Sequence, residues 1–414
     1  MKLAGAALLL SSTLTAFGLE AQARLESDAP AYRHDLVSLH KSLVEISSVT
    51  FTENAVGQFL VDYLTERDLV AELQFLPPSD APNSDNKPRF NVLAWPGPSR
   101  DPSPKVLVTS HIDTVPPHIP YSRTDEEPNG ETIIAGRGSV DAKASVAAQI
   151  TAVFDLLGSG RIDAGDVMLL FVVGEERTGD GMRHFSDTMA SLDPGRRPHF
   201  KAAIFGEPTE GKLACGHKGF FGCTVTTHGK AGHSGYPWLG KSAIEVLMRG
   251  LVEVLDTDLG STELFGNTTI NIGTIEGGVA SNVIPAVAVA RIAGRVAIGP
   301  ELDGGRIVVE RVKEVLRGVD EDAFELECAN GYGVVECACD VPGFEAITVN
   351  YGTDVPNFKG NHTRYLYGPG SILVAHGADE AIKLKDLEAG VEDFKKLILH
   401  VVRDEDDEEE VGEL

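Results

Sequence analysis

From about residue 30 to 70, apolar side chains recur at helical spacing: Leu36, Leu39 and Leu43, then Phe59, Leu60, Tyr63 and Leu64. Pro77 to Pro88 is rich in turn formers and reads as a loop. Beyond it, short apolar runs of β character alternate with helical patterns. The runs are Val106-Leu107-Val108, Val167 to Val173, Ala202 to Phe205 and Ile372 to Val374; the helices are Ala142–Leu157 and Leu384–Val402. Such alternation predicts an α/β fold, a mixed sheet layered with helices.

The middle of the chain has a different rhythm. It reads strand (Gly222–Thr227), helix (Ser242–Leu255), strand (Thr268–Ile275), strand (Ala286–Ala297), helix (Arg306–Arg317), strand (Phe324–Ala329). That is a compact α+β unit over 217–330, inserted into a discontinuous domain made of 24–216 and 331–402. No internal repeat is found.

Composition narrows the function classes. The 414 residues carry 62 acids and 36 bases, a formal charge of −26, which opposes phosphate-backbone binding. Residues 403–414 hold eight acids and one Arg, an acidic tail with nothing to bury. At the other end, Lys2 precedes an uncharged run from Leu3 to Phe17, and Ala21-Gln22-Ala23 is a small-x-small cleavage site. Residues 1–23 therefore read as a secretory signal peptide. Export makes the sequons at Asn267 and Asn361 candidate glycosylation sites. Five cysteines leave at least one without a partner in the chain; none forms a C-x-x-C pair, so a sulfur-ligated metal is not indicated.

The chemistry lies where the apolar runs end. Val106–Ser110 leads to His111-Ile112-Asp113, Met168–Gly174 to Glu175-Glu176, Ala202–Gly206 to Glu207, and Ser371–Ala375 to His376. A Gly-rich turn, Gly136–Val140, delivers Asp141 to a helix start. Sites in open α/β sheets form at the carboxyl ends of strands. A single such placement is an ordinary helix cap or solvated loop; five together, with two His, several carboxylates and no thiolate, suit a hydrolytic zinc site. One carboxylate can bridge two metals. Glu175 and Glu176 point to opposite sides if extended, and spacing alone does not say which one holds metal.

SHIDTVPP (110–117), GRGSVDAKAS (136–145), VVGEERTGDG (172–181), GEPTE (206–210) and LVAHGADE (373–380) resemble, in that order, one family. It is the di-zinc metallopeptidases that include glutamate carboxypeptidase, aminoacylase, acetylornithine deacetylase and succinyl-diaminopimelate desuccinylase. The resemblance runs from about residue 35 to 400, and with the signal peptide it looks most like exported fungal carboxypeptidases. It implies that Asp141 bridges two zinc ions per subunit, that His111 and Glu207 complete one, and that Glu176 and His376 complete the other. Asp113 would hydrogen-bond His111 and fix its tautomer, and Glu175 would be the general base. A cis peptide is implied at Asp141-Ala142. The inserted unit becomes a lid and dimerisation domain, whose His233 stabilises the oxyanion, often in a neighbouring subunit's site. Asn282 would approach substrate, while Arg295 and Gly370 would receive its carboxylate.

These roles imply hydrolysis of a peptide or N-acyl amide bond beside a C-terminal amino acid. An N-acyl-amino-acid deacylase, an aminopeptidase with a similar His-x-Asp and Glu-Glu site, and a non-catalytic exported scaffold stand as alternatives. The inserted unit of about a hundred residues counts against the aminopeptidase. Cobalt or manganese would suit the same ligands. The expected partners are a peptide or N-acyl amino-acid substrate and a second copy of the chain, with neither nucleic acid nor membrane among them.

Overall fold

The computed structural model describes residues 29–403, apart from 79–80, 82–83, 99–103 and 330. The expected signal segment 1–23 and the acidic stretch beyond Arg403 lie outside the described residues. No described helix is long and apolar enough to cross a membrane. The chain divides into two compact units.

The first unit comprises residues up to Gly211, with Gly360–Thr363 and Tyr367 onward. Its helices α1 (Arg33–Glu45) and α2 (Asn54–Thr65) follow the expected periodicity, and Leu36, Leu39, Leu43, Leu60 and Leu64 are buried. A mixed sheet follows, built from β1 (Leu69–Phe75), β2 (Phe90–Pro96), β3 (Val106–His111), β4 (Val167–Val172) and β5 (Ala202–Gly206). Its order is β1-β2-β4-β3-β5, with β2 antiparallel to β1 and β4, and β3 parallel to β4 and β5. The parallel strands are buried from end to end, which is why they read as continuous apolar runs. Helix α3 (Lys143–Gly158) is apolar nearly all round and accordingly buried, packed between α1 and the last helix. Helix α4 (Asp180–Ser191) follows β4.

One expected strand is corrected. Residues Ile372 to Val374 form successive tight turns, with amides of Val374, Ala375 and Gly377 bonding three residues back to Ser371, Ile372 and Val374. Gly370 at φ +82° turns the chain away from a sheet, and Leu373 is 86% exposed, so the apolar run has no layer to enter.

The second unit spans Lys212–Lys359 and Arg364–Leu366. It reaches past residue 330 because the strand Leu213–His217 pairs with Val335–Glu336 and Ala346–Val349 and carries those segments with it. Strands β6 (Gly219–His228), β7 (Thr269–Gly277), β8 (Val287–Val296) and β9 (Phe324–Cys328) form an antiparallel sheet in the order β7-β8-β6-β9. Helices α5 (Ala243–Asp256) and α6 (Gly304–Val319) cover one face, closing a core of Phe221, Val225, Leu247, Leu251, Ile292 and Val312. Disulfides join Cys215 to Cys339 and Cys223 to Cys328, the latter pair directly opposed on β6 and β9. Cys337 keeps its thiol, whose pKa burial pushes up to about 12. The first unit closes with α7 (Leu384–Arg403), whose buried face includes Leu387, Val391, Phe394 and Ile398.

Candidate functional site

The registers of β3 put the site together. Val106 lies opposite Val167 and Ala202, and Ser110 opposite Phe171 and Gly206, so three parallel strands end abreast. His111 closes β3, Glu175 and Glu176 follow β4, and Glu207 follows β5. Asp141 enters from the turn after Gly136 (φ +146°) and Gly138 (φ +85°). A Cβ on Gly138 would stand 2.9 Å from Thr114 and 3.0 Å from the Lys143 side chain, so the backbone must pass bare there. The Asp141–Ala142 peptide is cis. His376 arrives from the turn segment, in the left-handed region at φ +63°.

Two trios of ligand atoms result: His111, Asp141 and Glu207, and Asp141, Glu176 and His376, the atoms of each within 4.8 Å of one another. Asp141 Oδ1 lies 3.0 Å from His111 Nε2, and its Oδ2 lies 3.2 Å from His376 Nε2. Glu207 stands 3.8 Å from His111 Nε2, and Glu176 stands 3.0 Å from His376 Nε2. One carboxylate thus faces both histidines, the arrangement a bridging ligand needs.

His111 Nδ1 is 3.0 Å from the main-chain carbonyl of Asp113. A carbonyl only accepts, so Nδ1 donates, and the neutral ring turns its Nε2 lone pair toward Asp141 and Glu207. The tautomer is therefore held by the Asp113 backbone, while the carboxylate stands 3.6 Å from Nδ1. That carboxylate has other work. It accepts from Thr50 Oγ1 at 2.8 Å and from the N–H groups of Glu175 and Glu176 at 3.1 and 3.3 Å. Asp113 thereby ties the turn bearing Glu175 to the end of β3.

The charge pattern calls for cations. Bonds to Asp141 and Glu176 raise the His376 pKa to about 10. Burial opposes protonation of His111, yet Glu207, Asp113 and Asp141 together carry its pKa well above the ordinary value. Burial works to raise Asp141 too, but the two histidines hold it below the usual carboxylate range. Glu176 is pushed up, first by burial, with the charge of Asp141 adding to it. Nitrogen and oxygen donors crowded this way, with no sulfur, fit zinc and equally cobalt or manganese.

Sequence reasoning passed over the supports. Arg89 meets Glu53 through Nε and Nη2, each at 3.0 Å, and Asp180 through Nη1 at 2.6 Å and Nη2 at 3.2 Å. Arg89 and Glu53 are buried. Their clasp closes on Gly174, where a Cβ would fall 2.0 Å from Asp180 Oδ1 and 2.6 Å from Arg89 Nη2. A charged residue at the mouth of an apolar strand, Arg89 before β2, was the available signal.

In the second unit, the short strand Gly232–His233 pairs with Val283–Ile284, and Ser234 N–H bonds the Asn282 carbonyl at 3.1 Å. His233 and Asn282 are therefore neighbours, both exposed. Gly235 N–H donates to His233 Nδ1 at 3.0 Å, which leaves the proton of the neutral ring on Nε2. Arg295 is exposed on β8, over the Phe220 ring. Gly370, in the first unit, accepts from Glu210 N–H through its carbonyl. Asn267 and Asn361 are exposed.

Residues 215–319 match the peptidase dimerisation domain of the M20 peptidases. The chain is 55% identical to a peptidase M20 domain-containing protein of Sordaria macrospora, over 91% of this chain and 87% of that protein. It is 44% identical to a probable carboxypeptidase of Arthroderma gypseum, over 88% and 84%. Among solved structures, a Staphylococcus aureus tripeptidase shares the fold with a TM-score of 0.69 at 20% identity, covering 90% of this chain and 99% of that one. So does a dinuclear metal-binding M20 peptidase of Bacillus subtilis, with a TM-score of 0.60 at 15% identity over 90% and 99%.

Proposed function

The chain belongs to the M20 peptidase family, and from that membership we propose that it is a secreted zinc carboxypeptidase, releasing a C-terminal amino acid from a peptide. The observation that carries the reading is the pair of ligand trios sharing Asp141, with Glu175 adjoining the ligand Glu176. Two metal ions held there would polarise the scissile carbonyl and acidify a water. The Glu175 carboxylate takes the proton of the attacking water and passes it to the leaving amine nitrogen, so one group serves both steps. His233 donates from Nε2–H to the developing oxyanion, the tautomer that the Gly235 bond favours. Arg295 offers a guanidinium fork suited to the substrate carboxylate, and Asn282 and Gly370 keep the substrate-binding roles that the resemblance implies. The likeness to the probable carboxypeptidase of Arthroderma gypseum supports the choice of a C-terminal residue.

The N-terminal pattern of residues 1–23 supports export, and exposed Asn267 and Asn361 are then open to glycosylation. A homodimer fits the second unit. Helix α5 buries Leu247, Leu251 and Val254 but turns Met248, Val252 and Leu255 outward, each 50–57% exposed at helical spacing. An apolar stripe on the outer side of a helix that already covers the sheet with its other face calls for a partner, and the match to a dimerisation domain supports a second copy.

The test is metal content, then activity. The purified chain should hold two zinc ions and cleave N-blocked dipeptides, lose that activity to a chelator, and regain it with zinc. Preference for N-acetyl amino acids would make it a deacylase. A metallated protein inert on all of these would make it a scaffold.

A further inference from the structure

A buried ion pair joins the segments that carry Asp141 and His376. Arg137 Nη1 meets Glu380 Oε2 at 2.6 Å, and neither side chain is more than 2% exposed. The contacts of the pair go to ligand backbones. Glu380 Oε1 accepts from the N–H groups of Val140 at 3.1 Å and Asp141 at 3.2 Å. Arg137 Nη1 donates to the Gly377 carbonyl at 3.0 Å, and Nη2 to the His376 carbonyl at 3.2 Å. A third bond, from Nε to the Pro117 carbonyl at 3.3 Å, fixes the guanidinium plane.

A buried ion pair is weak as a source of stability, because desolvation offsets most of the attraction. Here the segments are already joined without it: Ala381–Lys383 pairs with Ile133–Ala135, and the Glu380 carbonyl accepts from Gly136 N–H and Ser139 Oγ. The pair does something the ladder does not. His376 occupies a left-handed conformation that a non-glycine residue rarely adopts, and Arg137 grips the two carbonyls that follow from it.

We infer that Arg137 and Glu380 are positioning residues for metal: Arg137 sets His376, and so governs the Asp141–Glu176–His376 trio alone, whereas Glu380 sets Asp141 and governs both trios. The inference rests on the metallopeptidase reading above. The geometry divides the labour. Glu380 touches the backbone of the shared ligand, while His111 and Glu207 are held by β3 and β5, which Arg137 does not contact in any bond described above.

Zinc binding by the chelated full-length chain tests this, with cobalt absorption as a second readout. Wild type should hold two ions; fewer would sink the functional reading itself, before any variant is measured. Arg137→Lys keeps the charge beside Glu380 but lacks the fork that reaches two carbonyls. It should keep one ion at wild-type affinity and bind the other about 10–100-fold more weakly, the usual scale for groups that orient a ligand. Glu380→Asp keeps the charge but is one methylene short of the two N–H groups, and should weaken both ions. Unchanged affinities with a lowered melting temperature in both variants would reduce the pair to a structural brace. Equal weakening of both ions by Arg137→Lys would also overturn the inference.

Discussion

Glu175 and Glu176 are chemically identical neighbours for which different duties are proposed, and the separation can be measured. Glu176 stands 3.0 Å from His376 Nε2, inside a ligand trio, whereas Glu175 belongs to neither trio. Glu175→Gln should therefore keep both metals and lose at least about 10²-fold in kcat, the scale of general acid–base effects. Metal analysis beside turnover checks it; a fall in metal content would exchange the two roles. A second residue gives a pH signature of stability. His40 is fully buried, its Nε2–H donating to the Ser139 carbonyl at 3.0 Å. Burial, aided by the charge of Lys143, lowers its pKa from 6.5 to about 4. The unfolded chain then takes up the proton first, so this contribution is whole above about 6.5 and lost as the pH falls toward about 4. The loss is on the order of 3 kcal/mol. His40→Gln, whose amide can keep the bond to Ser139, should flatten that slope in denaturant unfolding at pH 7 and pH 4.5.

At the scale of elements, the turn between β4 and α4 carries the proposed base. It is held from one side by Asp113, through the N–H groups of Glu175 and Glu176, and from the other by Arg89 and Asp180, closed on Gly174. Arg89→Met leaves Glu53 charged and unpaired in the interior. Removing one partner of a buried pair costs about 3–5 kcal/mol. Chemical unfolding should show that loss, and adding Glu53→Gln should recover part of it. Turnover should fall further than metal content in the single variant, because the clasp touches Gly174, the residue before the proposed base, rather than a proposed ligand. Equal falls in turnover and bound metal would instead make it a support for the ligands.

At the scale of the molecule, the outer stripe of α5 is the proposed contact with a second copy. Val252 sits mid-stripe, 57% exposed, with Met248 and Leu255 on either side. Val252→Glu places a charge on the proposed contact without disturbing the buried face of the helix. Sedimentation should show a dimer for wild type and a shift toward monomer for the variant, with zinc content unchanged. A wild-type monomer at micromolar concentration would remove the dimer from the proposed function.

By itself the amino-acid order determined what repeats locally. The strands β3, β4 and β5 were legible because strands buried on both faces must be apolar throughout, and the helices because their buried positions recur every three to four residues. His111, Glu176 and Glu207 were legible as polar residues stationed at or just past the ends of such runs, Asp141 as the carboxylate after a Gly-rich turn and His376 as the polar residue after an apolar run that the structure makes turns, and the family resemblance distributed roles among them. Ile372–Val374 misled because a short apolar run looks the same in a strand and in a series of turns; only the absence of a neighbouring strand decides between them. Tertiary structure alone decided which contacts join residues distant in the chain. Arg89 reaches Asp180, Arg137 reaches Glu380, and Cys215 pairs with Cys339, none of which has a periodic signature. It also gave the Asp113 carboxylate to the Glu175 turn, leaving its carbonyl to orient His111. Local patterns record which side of an element is buried; the partners of a polar group depend on which segments the sheet registers bring together.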